Sequence, residues 1–350
     1  MTGIINMLFV YGTLLKGEER NGCLGDCKLI RSLEVPGRLY DTKMGYPVSV
    51  FDTRLAERVT GEIYLMENPL NTLSELDRLE EVETGLYERV LLNKSGMDFY
   101  GYQAGTSLTG ITTDGNRIEN GSWRRFSSLS LSDPARFAIN FEDFQKRIYK
   151  APASDRSDGL IYIKGDIPVI VTAPHATAHV RMGKLKRQEF YTGALAALLH
   201  NLRGCHVLYS NSLSETDPNY YDDSTFKEKL TDIARRFDIR FLVDLHGTGP
   251  GRDSDIFPGM GMEKEFLLGS DIYFDALQAA AESYSIGIGP EAVFPAVKQM
   301  TVTKYAARKL GVPAMQLEIV RELRKPESSP EGFVRLTGFL KDFISQLSFS

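Results

Sequence analysis

Apolar and polar positions change their rhythm near residue 159. Before it the apolar runs are short: residues 7–11, 58–66, 88–92 and 98–104 are rich in β-branched, aromatic and alternating side chains, with glycine and proline turns between them, which predicts strands. Within this stretch residues 71–79 put Leu73, Leu76 and Leu79 on one face, with Asn68 or Asn71 as a cap, and predict one helix. Short strands around a single helix predict a small α+β unit whose strands curl into a mixed β-barrel.

Residues 114–132 turn to Gly, Asn, Ser and Arg, as at a domain end. A helix follows: Ser132-Asp133-Pro134 gives a cap and an early proline, and Phe137, Phe141, Phe144 and Ile148 recur at helical spacing through Tyr149. Residues 151–158 read as a loop. Beyond Gly159, apolar strands at 169–172, 206–209, 241–245 and 314–320 alternate with helices at 187–202, 226–237, 272–281, 302–310 and 330–347. Near-continuously apolar strands between long helices are what a parallel sheet covered on both faces demands, so the second domain is read as α/β and doubly wound, with its site at the carboxyl ends of the strands. The expected division is a first domain at 1–128, a helical linker at 129–158 and a second domain at 159–350.

The 350 residues suffice for two cores, and the net charge of −5, with scattered lysines and arginines, offers no basic surface for a phosphate backbone. Nucleic acid is therefore not an expected partner. Residues 1–10 lack a basic leader with an apolar core, and nothing approaches the roughly 20 apolar residues of a membrane helix, so a cytoplasmic protein without membrane contact is expected. Cys23, Cys27 and Cys205 form an odd set, and a Cys-x-x-x-Cys pair without nearby His is a poor zinc signature; reduced, packed thiols are expected.

Two regions carry candidate chemistry. In the first, the strand at 7–11 runs into Tyr11-Gly12-Thr13-Leu14, where a glycine lets backbone amides turn outward and hold an anion; a plain strand-ending turn is the alternative. Acidic residues then crowd the end of the helix in Leu76-Asp77-Arg78-Leu79-Glu80-Glu81-Val82-Glu83. That placement opposes the helix macrodipole, so one carboxylate there is a candidate general acid/base, with a solvated acidic face as the alternative. Taken with Tyr87-x-Arg89, Tyr100-Gly101-Tyr102, Gly45-Tyr46-Pro47 and Ile118-x-x-Gly121-x-Trp123, these segments resemble the γ-glutamylcyclotransferase-like family over roughly residues 6–127. The resemblance implies a small mixed barrel in which Tyr11, Gly12, Thr13 and Leu14 grip a γ-glutamyl group and Glu80 moves the proton, without a cofactor. Glu81 and Glu83 compete for that role. Thr13 stands where many members carry Ser. Closing the α-amine onto the γ-carbonyl gives 5-oxoproline and expels an amine, an intramolecular step in which orientation supplies much of the rate.

In the second region, His175 in Ala173-Pro174-His175 and His246 in Asp244-Leu245-His246-Gly247 both follow apolar strands, whose carboxyl ends converge in a parallel sheet. Glu189 could supply a third ligand, and two imidazoles plus a carboxylate with one position left to water is a hydrolytic Zn2+ arrangement. His179 is the rival first ligand; His200 and His206 read as structural. Asp244 either supports the metal from behind or turns away along its strand. Glu318 interrupts the apolar run Met315-Gln316-Leu317-Glu318-Ile319-Val320, either as an activating carboxylate or as an ion-pair partner of Arg321 or Arg324. Arg181 lies in a basic stretch with Lys184, Lys186 and Arg187, and it or Arg321 could clamp a substrate carboxylate. Pro174-His175, Glu189-x-x-Thr192-Gly193, Asp244-Leu245-His246-Gly247 and Gln316-Leu317-Glu318-Ile319 resemble the N-formylglutamate amidohydrolase family over about residues 155–345, whose members are similar to zinc carboxypeptidases; an Asp is common there at the position of Glu189. The two resemblances together imply a bifunctional enzyme acting on small γ-glutamyl and N-acyl amino-acid substrates. The other reading is a zinc hydrolase whose N-terminal barrel is a non-catalytic regulatory module.

Overall fold

Met7–Val10 (β1) buries Leu8, Phe9 and Val10 and lies inside a six-stranded mixed sheet. The computed structural model describes residues 5–18, 20–42, 46–123, 133–146, 149–150, 152, 158–347 and 349, in two compact units, Met1–Ser132 and Asp133–Ser350. Gly45, Ile148, the side chain of Phe144, the expected boundary at 128/129 and residues 151 and 153–157 of the expected loop lie outside the described residues.

The first unit continues with Lys28–Asp41 (β2), Pro47–Phe51 (β3), Arg58–Leu65 (β4), helix Pro69–Leu79 (α1), Tyr87–Lys94 (β5) and Met97–Ala104 (β6), in the sheet order β3-β2-β4-β1-β6-β5. The sheet curls until its edge strand β3 reaches β6: Ser49 Oγ donates to Tyr102 O at 3.2 Å, and Phe51 N donates to Gln103 Oε1 at 3.3 Å. Side chains, not a continuous backbone ladder, make that closure, so the unit is a half-barrel where the sequence predicts a barrel. The sequence also misses β2 and β3. Pro36-Gly37 reads as a turn, yet it lies within β2, paired with Arg58 and Phe51; a glycine is needed there because a Cβ at Gly37 would stand 2.7 Å from Val50 O on the neighbouring strand.

The second unit runs through helix Pro134–Gln145 (α2), Leu160–Ile163 (β7), Ile167–Ala173 (β8), the hairpin His179–Arg181 (β9) and Lys184–Lys186 (β10), helix Thr192–Arg203 (α3), Cys205–Ser210 (β11), helix Thr225–Arg236 (α4) and Phe241–Thr248 (β12). Then come Ile256–Gly259 (β13), helix Ile272–Tyr284 (α5), helix Val302–Tyr305 (α6), which passes into a π-helical turn at Ala306–Leu310, Ala314–Val320 (β14), helix Arg321–Arg324 (α7) and helix Pro330–Gln346 (α8). The helix expected in the linker is part of this unit.

Its main sheet has the order β13-β14-β12-β8-β11-β7. The four inner strands are parallel, as the apolar runs predict, while β7 and β13 add antiparallel edges that the sequence reading omits. Both are four residues long, too short to declare a period. Ile170, Leu208 and Leu242 form one core with Phe226, Leu230 and Ile233 of α4 and with Val302 and Ala306. From β8 the chain goes to β11 on one side and returns to β12 on the other. The order therefore reverses between β8 and β12, which opens a crevice at the carboxyl ends of those two strands.

Candidate functional site

In the first unit the site begins where β1 ends. Gly12 packs so closely that a Cβ would lie 2.8 Å from Pro47 Cγ. The turn after it is held by outside partners: Arg20 N donates to Thr13 O at 2.9 Å, Asn21 Nδ2 to Leu14 O at 2.8 Å and Lys16 N to the buried Glu62 Oε2 at 2.8 Å. Its carbonyls are thus occupied, while the N–H groups of Gly12, Thr13 and Leu14 donate to no acceptor among the described residues. A run of backbone N–H groups without acceptors can hold an anion. Tyr11 is buried, and its hydroxyl accepts from Ser49 N at 3.1 Å.

Glu80 caps the end of α1. One turn earlier Asp77 accepts from Tyr102 Oη at 2.8 Å and Arg89 Nη1 at 2.7 Å, so three of the quoted motifs meet to fix this helix end. Burial pushes the Glu80 carboxyl up to about 7, with the Glu81 charge adding and Arg20 opposing. Tyr11, Tyr87 and Tyr102 all lie within its electrostatic reach, and burial raises each of their own pKa values. Of the competing residues, Glu83 is exposed and Glu81 turns left-handed at φ 49° into a short 3-10 turn.

In the second unit His175 lies just past β8 and His246 is near the end of β12, at the crevice. Both are buried. Glu189 is not in a helix, as the sequence predicts, but in the turn before α3, which starts at Thr192. Its two oxygens reach the two rings: Oε1 lies 3.0 Å from His175 Nδ1, and Oε2 lies 2.9 Å from His246 Nδ1 and accepts from Gly247 N at 3.0 Å. Burial raises the Glu189 carboxyl, but the two imidazoles outweigh it and hold the group well below the usual range. The far nitrogens are held as well. His175 Nε2 lies 2.9 Å from Asp217 Oδ1, and His246 Nε2 lies 3.1 Å from Asp244 Oδ2 and 2.6 Å from Asn219 Nδ2. Asp244 is therefore beside His246, as alternation two residues apart allows, and Thr172 and Thr303 donate to it in turn.

Glu318 is the direct cross-strand partner of His246 in the β12–β14 ladder. Burial lifts its carboxyl to about 7, with His246 opposing and Glu189 adding. Gln316 Nε2 donates to it at 3.0 Å, and it forms no ion pair with Arg321 or Arg324 among the described residues. Arg181 commits Nε to Asp217 at 2.5 Å, and Arg321 is exposed, hydrogen-bonded to none of the site residues. The arginine that enters the site is Arg324, buried, with Nε on Ile319 O at 3.0 Å and Nη1 on Phe190 O. His200 Nδ1 meets Cys205 O at 2.8 Å and His206 Nδ1 meets Tyr162 Oη at 2.8 Å, as structural histidines do.

Two groups among the described residues could hold a metal: His175, Glu189 and His246, or His175, His179 and Asp217. In the second, Asp217 already takes the Arg181 guanidinium and the Asn219 N–H at 2.8 Å, so its charge is balanced without a metal ion. The first has both Nδ1 atoms turned toward one carboxylate; His175 Nε2 is held from behind by Asp217, while His246 Nε2 faces both the Asp244 carboxylate and the Asn219 amide nitrogen. That donor set fits zinc.

Residues 8–125 match the family model described as gamma-glutamyl cyclotransferase, AIG2-like. Among solved structures, the chain is similar to protein ytfP from Escherichia coli, at 27% identity over 35% of this chain and 98% of that one, TM-score 0.27. An AIG2-like protein from Mus musculus is 21% identical over 33% of this chain and 86% of that one, TM-score 0.28. A bacteriophage poly-gamma-glutamate hydrolase is 14% identical over 53% of this chain and 87% of that one, TM-score 0.38. No curated protein matches the chain. No helix among the described residues is long and apolar enough to cross a membrane.

Proposed function

We propose that the chain is a bifunctional enzyme whose first unit cyclises γ-glutamyl amines or peptides to 5-oxoproline, releasing an amine. Its second unit, by this reading, is a zinc-peptidase-like fold that hydrolyses an N-acyl amino acid or small amide. The first half rests on the family match at residues 8–125 together with the Glu80 carboxyl, raised to about 7 and within electrostatic reach of Tyr11, which leads into a turn whose three amides lack acceptors among the described residues. The cradle holds the substrate's carboxylate, and Glu80 takes a proton from its α-ammonium so that the amine attacks the γ-carbonyl. Glu80 passes that proton to the departing nitrogen, and the second proton, shed by the ring nitrogen as it becomes an amide, leaves with the released amine as its ammonium. Glu80→Gln should abolish 5-oxoproline release from a γ-glutamyl amine; turnover that survives the substitution removes this assignment.

The second half rests on Glu189 bridging the Nδ1 atoms of His175 and His246. Zinc held by these three would polarise the scissile carbonyl and acidify water. Asp217, Asp244 and Asn219 keep the imidazoles oriented. Glu318, with a carboxyl near 7, receives the proton of the attacking water and returns it to the leaving nitrogen. Elemental analysis of the freshly purified full chain, beside His246→Ala, tests the centre: one zinc per wild-type chain and none in the variant are expected.

A further inference from the structure

Glu189 stands on backbone that no helix or ladder supports, so the position of its carboxylate depends on what fixes residues 189–191. Each peptide group of this turn has a partner. Glu189 N donates to His175 O at 2.8 Å, and Thr192 Oγ1 donates back to Glu189 O at 2.8 Å. Phe190 O accepts from Arg324, and Tyr191 N donates to Glu142 Oε2 at 3.1 Å. Tyr191 sits at φ 68°, a left-handed conformation that a residue with a side chain keeps only when its surroundings impose it.

Glu142 comes from α2, the helix read in the sequence as a connection. It is 2% exposed, and its other oxygen accepts from the Tyr149 hydroxyl. A buried carboxylate is costly unless matched by donors, and here one of its two donors is the amide of the strained residue. The segment after α2 is stitched to the same place. Tyr149 O accepts from Ala178 N at 3.0 Å, and the Tyr149 ring packs edge-on against Phe190 with centroids 5.7 Å apart.

We propose that Glu142 is a positioning residue for the metal centre: by accepting the Tyr191 amide it holds the left-handed turn that aims Glu189 between His175 and His246. This rests on the reading of those three residues as a zinc site. On that basis α2 is a strut of the second site and not a tether.

The test is zinc affinity of the full chain, measured by competition with a chromophoric chelator. Glu142→Leu should bind zinc about 10–100-fold more weakly, the loss seen when partners behind metal ligands are removed. Glu142→Gln should stay near wild type, because its amide oxygen still accepts from Tyr191 and its NH2 can donate to Tyr149. Faster hydrogen exchange at the Tyr191 amide should accompany the Leu variant, with the circular dichroism of the fold unchanged. Should Glu142→Leu fail to fold, Glu142→Asp keeps the buried charge but withdraws its reach, and must weaken zinc in the same direction. A folded Leu or Asp variant with wild-type zinc affinity overturns the proposal, as does a Gln variant as weak as Leu. Wild-type chain that takes up no zinc removes the metal reading itself, an outcome distinct from unchanged affinity in the variants.

Discussion

Glu80 pits function against stability in a way that can be measured. Its carboxyl is held at about 7 against an ordinary 4.5, so the folded chain releases this proton less readily than the unfolded chain. The sign follows: below about 4.5 both states are protonated and nothing is lost, and as pH rises through about 7 folding bears the full cost of a desolvated charge. Glu80→Gln is therefore expected to melt higher than wild type at pH 8, with the gap closing as the pH is lowered to 4. In activity the same group must be ionised to accept a proton, so kcat/KM for 5-oxoproline formation should fall below about pH 7 along a single ionisation. In the second unit, Glu318→Gln should lower amide hydrolysis about 10²–10⁴-fold while zinc content stays at wild type, because in the proposed mechanism the residue moves a proton and holds no metal. Measured loss of both activity and metal would make it a ligand instead. That His175 and His246 come together is legible because both follow apolar strands whose carboxyl ends converge; Glu189 joins them from a turn where the sequence predicts a helix. Asp217 and Asn219 are not legible, since Asp217-Pro218-Asn219 reads as a solvated turn, and only the return of that loop to the crevice gives it a role. Arg324 is legible only as an ion-pair candidate for Glu318; its bonds to Ile319 O and Phe190 O are not, because it lies six residues beyond Glu318 in a short helix, where an arginine is ordinarily exposed.

At the scale of elements, the strands that follow long apolar runs were readable and the edges were not. β7, β13 and the β9–β10 hairpin owe their pairing to neighbours already in place rather than to a pattern of their own. The start of α3 was misplaced for a related reason. Helical spacing of apolar residues extends back past Thr192, but the backbone is diverted there by Tyr191 in its left-handed conformation. Close approach between elements yields a further prediction. Gly247 of β12 is covered by the Arg324 guanidinium from α7, which a methyl group would overlap. Gly247→Ala should thus displace Arg324 or the strand and destabilise the chain by about 1–3 kcal/mol, the usual range for overpacking, seen as a lower denaturation midpoint. An unchanged midpoint would mean that the guanidinium swings aside freely.

For the whole molecule, the proposed functions give the two sites different chemistry, so they should fail independently. Stripping metal from the full chain with a chelator is expected to end amide hydrolysis and leave 5-oxoproline release intact; Glu80→Gln should do the reverse. Inhibition of both by the chelator would tie the cyclising site to the metal. The change of rhythm in the sequence falls near residue 159, whereas the larger compact unit begins at Asp133 and takes in the helix Pro134–Gln145.

The pairing of His246 with Glu318 has a consequence for how this chain can vary. Neighbouring strand positions face opposite sides of a sheet, so a slip of β14 by one residue would bring Leu317 or Ile319 opposite the imidazole and turn the carboxylate into the core. Insertions and deletions can therefore accumulate in the connections between strands, where slack absorbs them. Within 314–318 a change of a single residue in length would shift the frame and, on the proposed reading, silence the centre while leaving every ligand in place.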